Sequence, residues 1–127
     1  MSEFVWVADW EMQCCGDAFR VGDLVNWHLS PADVEEWLED LFARRPQPDV
    51  TLFYDHHSEN PPPRRHGVVR SIQAVHCCYQ RTGRTLIPVR GSAVTTARSS
   101  ATGWEEEDDD DTHRFVAYIV ELDEVAT

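Results

Sequence analysis

The chain has 127 residues, which is the length of one domain with one hydrophobic core. Its formal net charge of −12 argues against direct nucleic-acid binding, because phosphate contacts require a basic face. No apolar run approaches the ~20 residues that a transmembrane helix needs, and the acidic N-terminus is unlike a signal peptide. We therefore expect a cytoplasmic protein with no membrane contact and with reduced cysteines.

Alternating apolar residues predict five to six short strands. Residues 3–10 are apolar on both faces, which is typical of a strand covered on both sides. In residues 67–79 the best apolar positions are spaced by three, which a β-bulge or strong coiling would reconcile with a strand. Three further strands are predicted over 24–29, 50–55 and 114–122, and the stretches 86–89 and 93–97, on either side of Gly91-Ser92, are additional candidates.

One amphipathic helix is predicted over residues 31–43. Ser30 suits the N-cap and Pro31 the first helical position. The apolar residues that follow have helical spacing and form one stripe. These residues are Val34, Trp37, Leu38, Leu41 and Phe42.

The run Glu105–Asp111 consists of seven consecutive acidic residues. Because such a run repels itself, we expect a mobile, solvated loop inserted before the last strand of a single domain spanning 1–127. The elements together predict an α+β fold. It is a small, strongly bent sheet or an SH3-like or OB-like barrel of mostly antiparallel strands with the helix packed on it.

Five tryptophans are many for this length, and an aromatic ring gains much from burial. Trp104 lies at the start of the acidic run and is expected to be exposed. The other four fall on apolar faces of predicted elements and are expected in the core. They are Trp6, Trp10, Trp27 and Trp37.

Several stretches of the chain carry a resemblance to a known family. They are Trp10–Gly16 (WEMQCCG), Phe19–Trp27 (F-x-V-G-D-x-V-x-W), Pro88–Ser92 and Tyr118–Leu122. The chain resembles an uncharacterised family of small actinobacterial proteins that is known only as a domain of unknown function. This resemblance covers most of the chain and implies no catalytic or binding residue.

Cysteine and histidine residues form one candidate metal site. Cys14 and Cys15 with His76, Cys77 and Cys78 offer the thiolates and imidazoles that zinc prefers, and His56 is a further candidate ligand. However, adjacent residues of a strand point to opposite faces, so at most one of Cys77 and Cys78 fits a given site. The cysteines as buried apolar residues are the alternative, and they need no cofactor.

A second candidate site is the sequence Asp55-His56-His57, with His66 across a proline-rich loop. A carboxylate beside imidazoles orients a general base in many enzymes. No nucleophile or oxyanion donor is recognisable nearby in sequence, so a solvated strand end is the alternative interpretation.

The sequence favours a non-enzymatic binding or regulatory module that acts through protein–protein contact, because no catalytic set is complete. A small zinc-dependent or histidine-based enzyme is the first alternative. An acidic mimic of nucleic acid is the second, since the high negative charge would serve that role.

Overall fold

The computed structural model describes residues 2–14, 17–31, 50–55, 63–105 and 113–124. This part of the chain is mostly β, with one short helix. Strand formation follows the alternation of β-branched and aromatic side chains with polar ones. The elements are β1 (Ser2–Ala8), α1 (Asp9–Cys14), β2 (Phe19–Arg20), β3 (Leu24–Pro31), β4 (Val50–Tyr54), β5 (Arg64–Thr82), β6 (Thr85–Pro88), β7 (Val94–Arg98), β8 (Ser100–Ala101) and β9 (His113–Glu124).

Five strands close a ring of hydrogen bonds in the order β3, β4, β1, β9 and β5, because β5 also pairs with β3. Within the described residues the β1–β4 pairing is parallel and the others are antiparallel. This confirms a mostly β fold with mostly antiparallel strand pairing, and the described residues contain almost no helix. Its assignment as an SH3-like or OB-like barrel stays a prediction.

The longest strand, β5, organises the molecule. It has 19 residues and pairs with β3, β6, β7 and β9 in different parts of its length. Its register with β9 shifts between Val69 and Ser71 and again between Val75 and His76. These irregularities confirm the bulge expected from the three-residue spacing, and bulges of this kind bend and twist a strand.

Apolar residues fill both faces of the sheet. One cluster includes Val5, Val7 and Tyr118, and the cluster on the opposite face includes Trp6 and Ile119. All five are buried, which confirms that the first strand is covered on both sides. Burial of a side chain of this size contributes about 1.5–3 kcal/mol, so both clusters stabilise the sheet.

Two predicted element boundaries are wrong. The first strand ends at Ala8, because helix α1 begins at Asp9, whose carboxylate accepts a hydrogen bond from the backbone N–H of Trp10 at 2.8 Å. Trp10 therefore leaves the strand and is 56% exposed instead of buried in the core. A carboxylate in a first helical turn is favoured by the helix dipole.

The predicted helix does not begin at Pro31. Ser30 and Pro31 continue β3, paired with Phe53 and Leu52 of β4, because strand pairing in the folded sheet outweighs the local capping preference. The remaining helical residues, 32–43, lie outside the described residues and include Trp37. Trp27 packs against the first cluster as expected, and Trp104 is 70% exposed, which confirms the prediction for it.

Candidate functional site

Cys77 and Cys78 face opposite sides of β5, as strand alternation requires. Cys77 is fully buried in the cluster that contains Trp6 and Ile119, and this burial raises the pKa of the Cys77 thiol. Its neighbour on the same face is Tyr79. Burial, with a smaller effect of Cys77, raises the pKa of Tyr79 to about 12. The Cys77 thiol is therefore a packed, protonated group at neutral pH.

Cys78 lies on the other face, half-buried, and meets a histidine that the sequence did not indicate. In the antiparallel pairing of β5 with β9, Cys78 stands directly opposite His113. Side chains of directly opposite residues are neighbours on one face of a sheet. The result is a contact of 3.4 Å between Cys78 Sγ and His113 Nε2.

The backbone of Cys78 is held by the turn that connects β6 to β7. The Cys78 N–H donates to Ser92 Oγ at 2.9 Å, and the Val89 N–H donates to the Cys78 carbonyl at 2.8 Å. Ser92 Oγ in turn donates to the Val89 carbonyl at 2.6 Å. These bonds fix the peptide groups on both sides of Cys78, so the sulfur is presented to His113 from a rigid position.

His76 also belongs to this end of β5. It is buried, and its ring packs against that of Phe115 with the centroids 5.7 Å apart. Among the residues that the structure describes, no group of three or more His, Cys, Asp or Glu side chains has a metal-holding arrangement. The side chain of Cys14, and the whole of Cys15 and His56, lie outside the described residues, so the zinc site stays a prediction.

The second predicted site is only partly described. The Asp55 N–H donates to the His28 carbonyl at 2.9 Å, and His66 is an exposed residue of β5 opposite Asn26 of β3. His56 and His57 lie outside the described residues. His66 and His76 are separated by about 33 Å of strand at 3.3 Å per residue. The structure thus places His66 and the Cys77–Cys78 pair in different parts of β5.

A cleft of about 420 Å³ lies beside His28. The Arg64 Nε–H donates to His28 Nε2 at 3.1 Å, which requires the lone pair of that nitrogen. Aromatic rings line the cleft, and Trp27 makes edge-to-face contacts with Phe19 and Tyr54 at centroid distances of 4.9 and 5.3 Å. Edge-to-face contacts are a favoured geometry for aromatic pairs.

Positive charge is concentrated in one part of the chain. Residues 60–104 contain seven of the eleven arginines and no Asp or Glu, so all 23 acidic residues lie elsewhere. Arg65 pairs with Glu3 at 2.6 Å and Arg70 with Asp123 at 3.0 Å. Arg81 and Arg84, near the tip of the β5–β6 hairpin, form no ion pair within the described residues.

The edge formed by β6 and β7 exposes apolar side chains. Leu86, Ile87 and Val94 are each between 42% and 48% exposed, and the side chains of Val94–Ala97 are all exposed and uncharged. In the described part of the chain, β7 pairs with β5 alone. We call this surface, Thr85–Pro88 with Val94–Ala97, the β6–β7 edge.

Glu105 differs from the expected solvated acidic loop. Its side chain is only 11% exposed, accepts a bond from Arg98 Nε at 2.6 Å and accepts another from the Tyr118 hydroxyl at 3.1 Å. Burial raises the pKa of Tyr118, whose hydroxyl also accepts the Gly103 N–H. The first acidic residue is thus anchored to the core, and residues 106–112 lie outside the described residues.

No helix in the described part of the chain has the length and apolarity to cross a membrane.

Comparison with known proteins gives one match. Neither the curated proteins nor the solved structures contain a match to this chain. The actinobacterial range and the signature suggested by the resemblance stay predictions. The model of one family of unknown function, DUF6578, matches residues 1–124, and the chain belongs to that family.

Proposed function

We propose that this protein is a non-enzymatic binding module that captures an extended segment of a partner protein on the β6–β7 edge. The observation that supports the proposal is the exposure of Leu86, Ile87 and Val94 along a strand edge that carries no charged side chain from Val94 to Ala97. Sheet edges in natural proteins are usually guarded by charge, because an unguarded edge pairs with other chains.

The chemistry of a strand edge specifies an extended guest. The outer edge of β7 presents backbone N–H and C=O groups, so a guest strand there gains main-chain hydrogen bonds. The exposed apolar side chains beside it supply contact area for alternate side chains of the guest. Three half-exposed aliphatic side chains together offer an apolar surface that a guest would remove from water at about 25 cal/mol per Å².

The positive charge near the β6–β7 edge determines which partner segments it favours. The segment 60–104 has seven arginines and no acidic residue, and it contains both strands of the edge. Two of its arginines, Arg81 and Arg84, lie at the adjoining hairpin tip without an ion pair in the described residues. Screening at physiological salt confines attraction to about 8 Å, so the local arginines and not the net charge of the chain act on a guest. We expect the captured segment to be neutral to acidic.

A peptide-display selection tests the proposal with a defined probe. A library of unstructured peptides is selected on the full chain, and enriched peptides are synthesised for calorimetry. We expect β-prone sequences with Asp or Glu and no excess of Lys or Arg. We also expect Val94→Glu to weaken binding at least tenfold, because it adds a carboxylate to the contact surface.

The matched control is Val21→Glu, because Val21 is the same residue type and is 43% exposed against 48% for Val94. It lies in the turn before β3, where its N–H donates to the Ser99 carbonyl just after β7, at the opposite end of that strand from Val94. Equal losses in the two variants, or enrichment of basic peptides whose binding ignores Val94→Glu, would refute the proposal.

The two alternatives have less support. The zinc-dependent or histidine-based enzyme needs Asp55, His56, His57 and the cysteine cluster in one pocket. Of the described members, Asp55 follows β4, whereas Cys77 and Cys78 lie in β5. The nucleic-acid mimic needs acidic residues aligned along one face at phosphate-like spacing. Neither alternative has an observation of its own in the described residues.

A further inference from the structure

We infer that Cys78 is a covalent modification site, a reactive thiol that exchanges with low-molecular-weight disulfides with His113 as its proton acceptor. The site is the β5–β9 pairing at Cys78 and His113, where the Sγ–Nε2 distance is 3.4 Å. It does not depend on the proposed capture of a partner segment.

The geometry joins a nucleophile to a base. A thiol reacts as its thiolate, and an imidazole within hydrogen-bond reach takes the proton that must leave. With Nδ1 protonated, His113 offers the Nε2 lone pair to the Cys78 thiol. Cys78 and His113 are both half-buried, so each residue keeps part of its surface in contact with solvent.

The other side chains near Cys78 take no part in this proton transfer. His76 shares the face of Cys78 but packs on Phe115, and Arg114 stands opposite Cys77 in the register. Ser92 Oγ holds the Cys78 backbone and contributes no charge. Within the described residues, the polar side chain in contact with the Cys78 sulfur is that of His113.

The reaction balances without another reactant. The Cys78 thiol gives its proton to His113 Nε2, and the thiolate attacks one sulfur of the disulfide R–S–S–R. A new S–S bond forms between Cys78 and that sulfur while the original S–S bond breaks. The Cys78 sulfur is oxidised and the departing sulfur is reduced. The departing thiolate then takes the proton from the His113 imidazolium.

Cys77 is an internal comparison one residue away. It has no exposed surface, and burial raises the pKa of its thiol, so it lacks both access and ionisation. The two sulfurs also lie on opposite faces of a paired strand, so a disulfide between Cys77 and Cys78 would require β5 to open.

The experiment incubates the folded full chain with glutathione disulfide at about pH 7 and maps the adducts by peptide mass spectrometry after an acid quench. We expect the adduct on Cys78, retained in Cys77→Ala and lost from that peptide in Cys78→Ser. Cleavage after arginine separates the peptide from Ser71 to Arg81 from the one that carries Cys14 and Cys15.

His113→Gln tests the base, with His66→Gln as the control on the same sheet. A free thiol is only about 3% ionised at pH 7, so a base that ionises it fully raises the rate up to roughly 30-fold. We expect His113→Gln to slow the modification about tenfold at pH 7, while His66→Gln leaves the rate unchanged.

Three results would overturn the inference. They are modification of Cys77 as fast as Cys78 in the folded chain, an unchanged rate in His113→Gln, and no modification of Cys78 in a folded protein. Circular dichroism on each variant confirms that the sheet is intact. Rapid formation of a Cys77–Cys78 disulfide would also overturn it, because the paired strand forbids that bond.

Discussion

Replacing Gly103 by alanine should uncouple the start of the acidic segment from helix α1. Gly103 has a φ of +87°, and its N–H donates to the Tyr118 hydroxyl at 3.1 Å. Its carbonyl accepts a bond from Gln13 Nε2 at 2.8 Å. An added Cβ would lie 2.7 Å from the Cβ of Met12, an atom that cannot move without the helix backbone.

The expected cost has two parts. A side chain at a positive φ costs about 1–2 kcal/mol. Overpacking a filled core position costs about 1–3 kcal/mol more. Gly22→Ala isolates the first part, because Gly22 has a φ of +96° and a Cβ there would meet no atom within 4 Å. Gly103→Ala should therefore destabilise the protein by about 2–5 kcal/mol, and Gly22→Ala by about 1–2 kcal/mol.

Urea unfolding followed by tryptophan fluorescence measures both free energies of unfolding. With a slope of about 2 kcal/mol per molar urea, the Gly103 variant should unfold at a midpoint lower by roughly 1–2.5 M. Equal midpoints for the two alanine variants would refute the packing argument, because the left-handed backbone would then account for the whole effect.

Three further predictions concern the same structure. Because burial raises the pKa of Tyr79 from 10.0 to about 12, its stabilising contribution is complete below pH 10 and is lost as the pH rises toward 12. Tyr79→Phe should thus lessen the fall of the urea midpoint between about pH 10 and 12. Tyr118→Phe should cost about 1–3 kcal/mol in urea unfolding, because the buried Gly103 N–H loses its acceptor. If the predicted zinc site forms, protein purified without added metal should contain close to one zinc per chain by elemental analysis, and a folded, metal-free protein would contradict the site.

Much of the sheet could be predicted from the sequence, because strand alternation is a local signal. Val5, Trp6 and Val7 alternate in a way that requires two covered faces, and both faces are covered. The three-residue spacing after Gly67 indicated a bulge, and the register of β5 with β9 shifts within that stretch. In each case the information lies within a few residues of chain.

The candidate site depended on information that no local pattern carries. Cys78 and His113 are 35 residues apart, and they meet only because β5 and β9 pair in one particular register. The burial of Glu105 likewise follows from Arg98 and Tyr118 on other strands. At Ser30 the local signal was misleading. Ser30 and Pro31 have the sequence of a helix N-terminus, but they form part of β3 because they pair with β4.

The Cys78 thiol and the β6–β7 edge are linked through the turn between β6 and β7. Val89 and Ser92, in the turn between β6 and β7, both bond to the backbone of Cys78. An adduct on this half-buried sulfur needs space next to that turn, so it should change the position of the edge. Any effect of the adduct on peptide affinity must be matched by an equal effect of the peptide on adduct formation. Given both proposals, a selected peptide should bind the glutathione adduct less tightly than the reduced chain and bind Cys78→Ser as tightly as the reduced chain. Equal affinities for adduct and reduced chain would show that the turn does not transmit the modification to the edge.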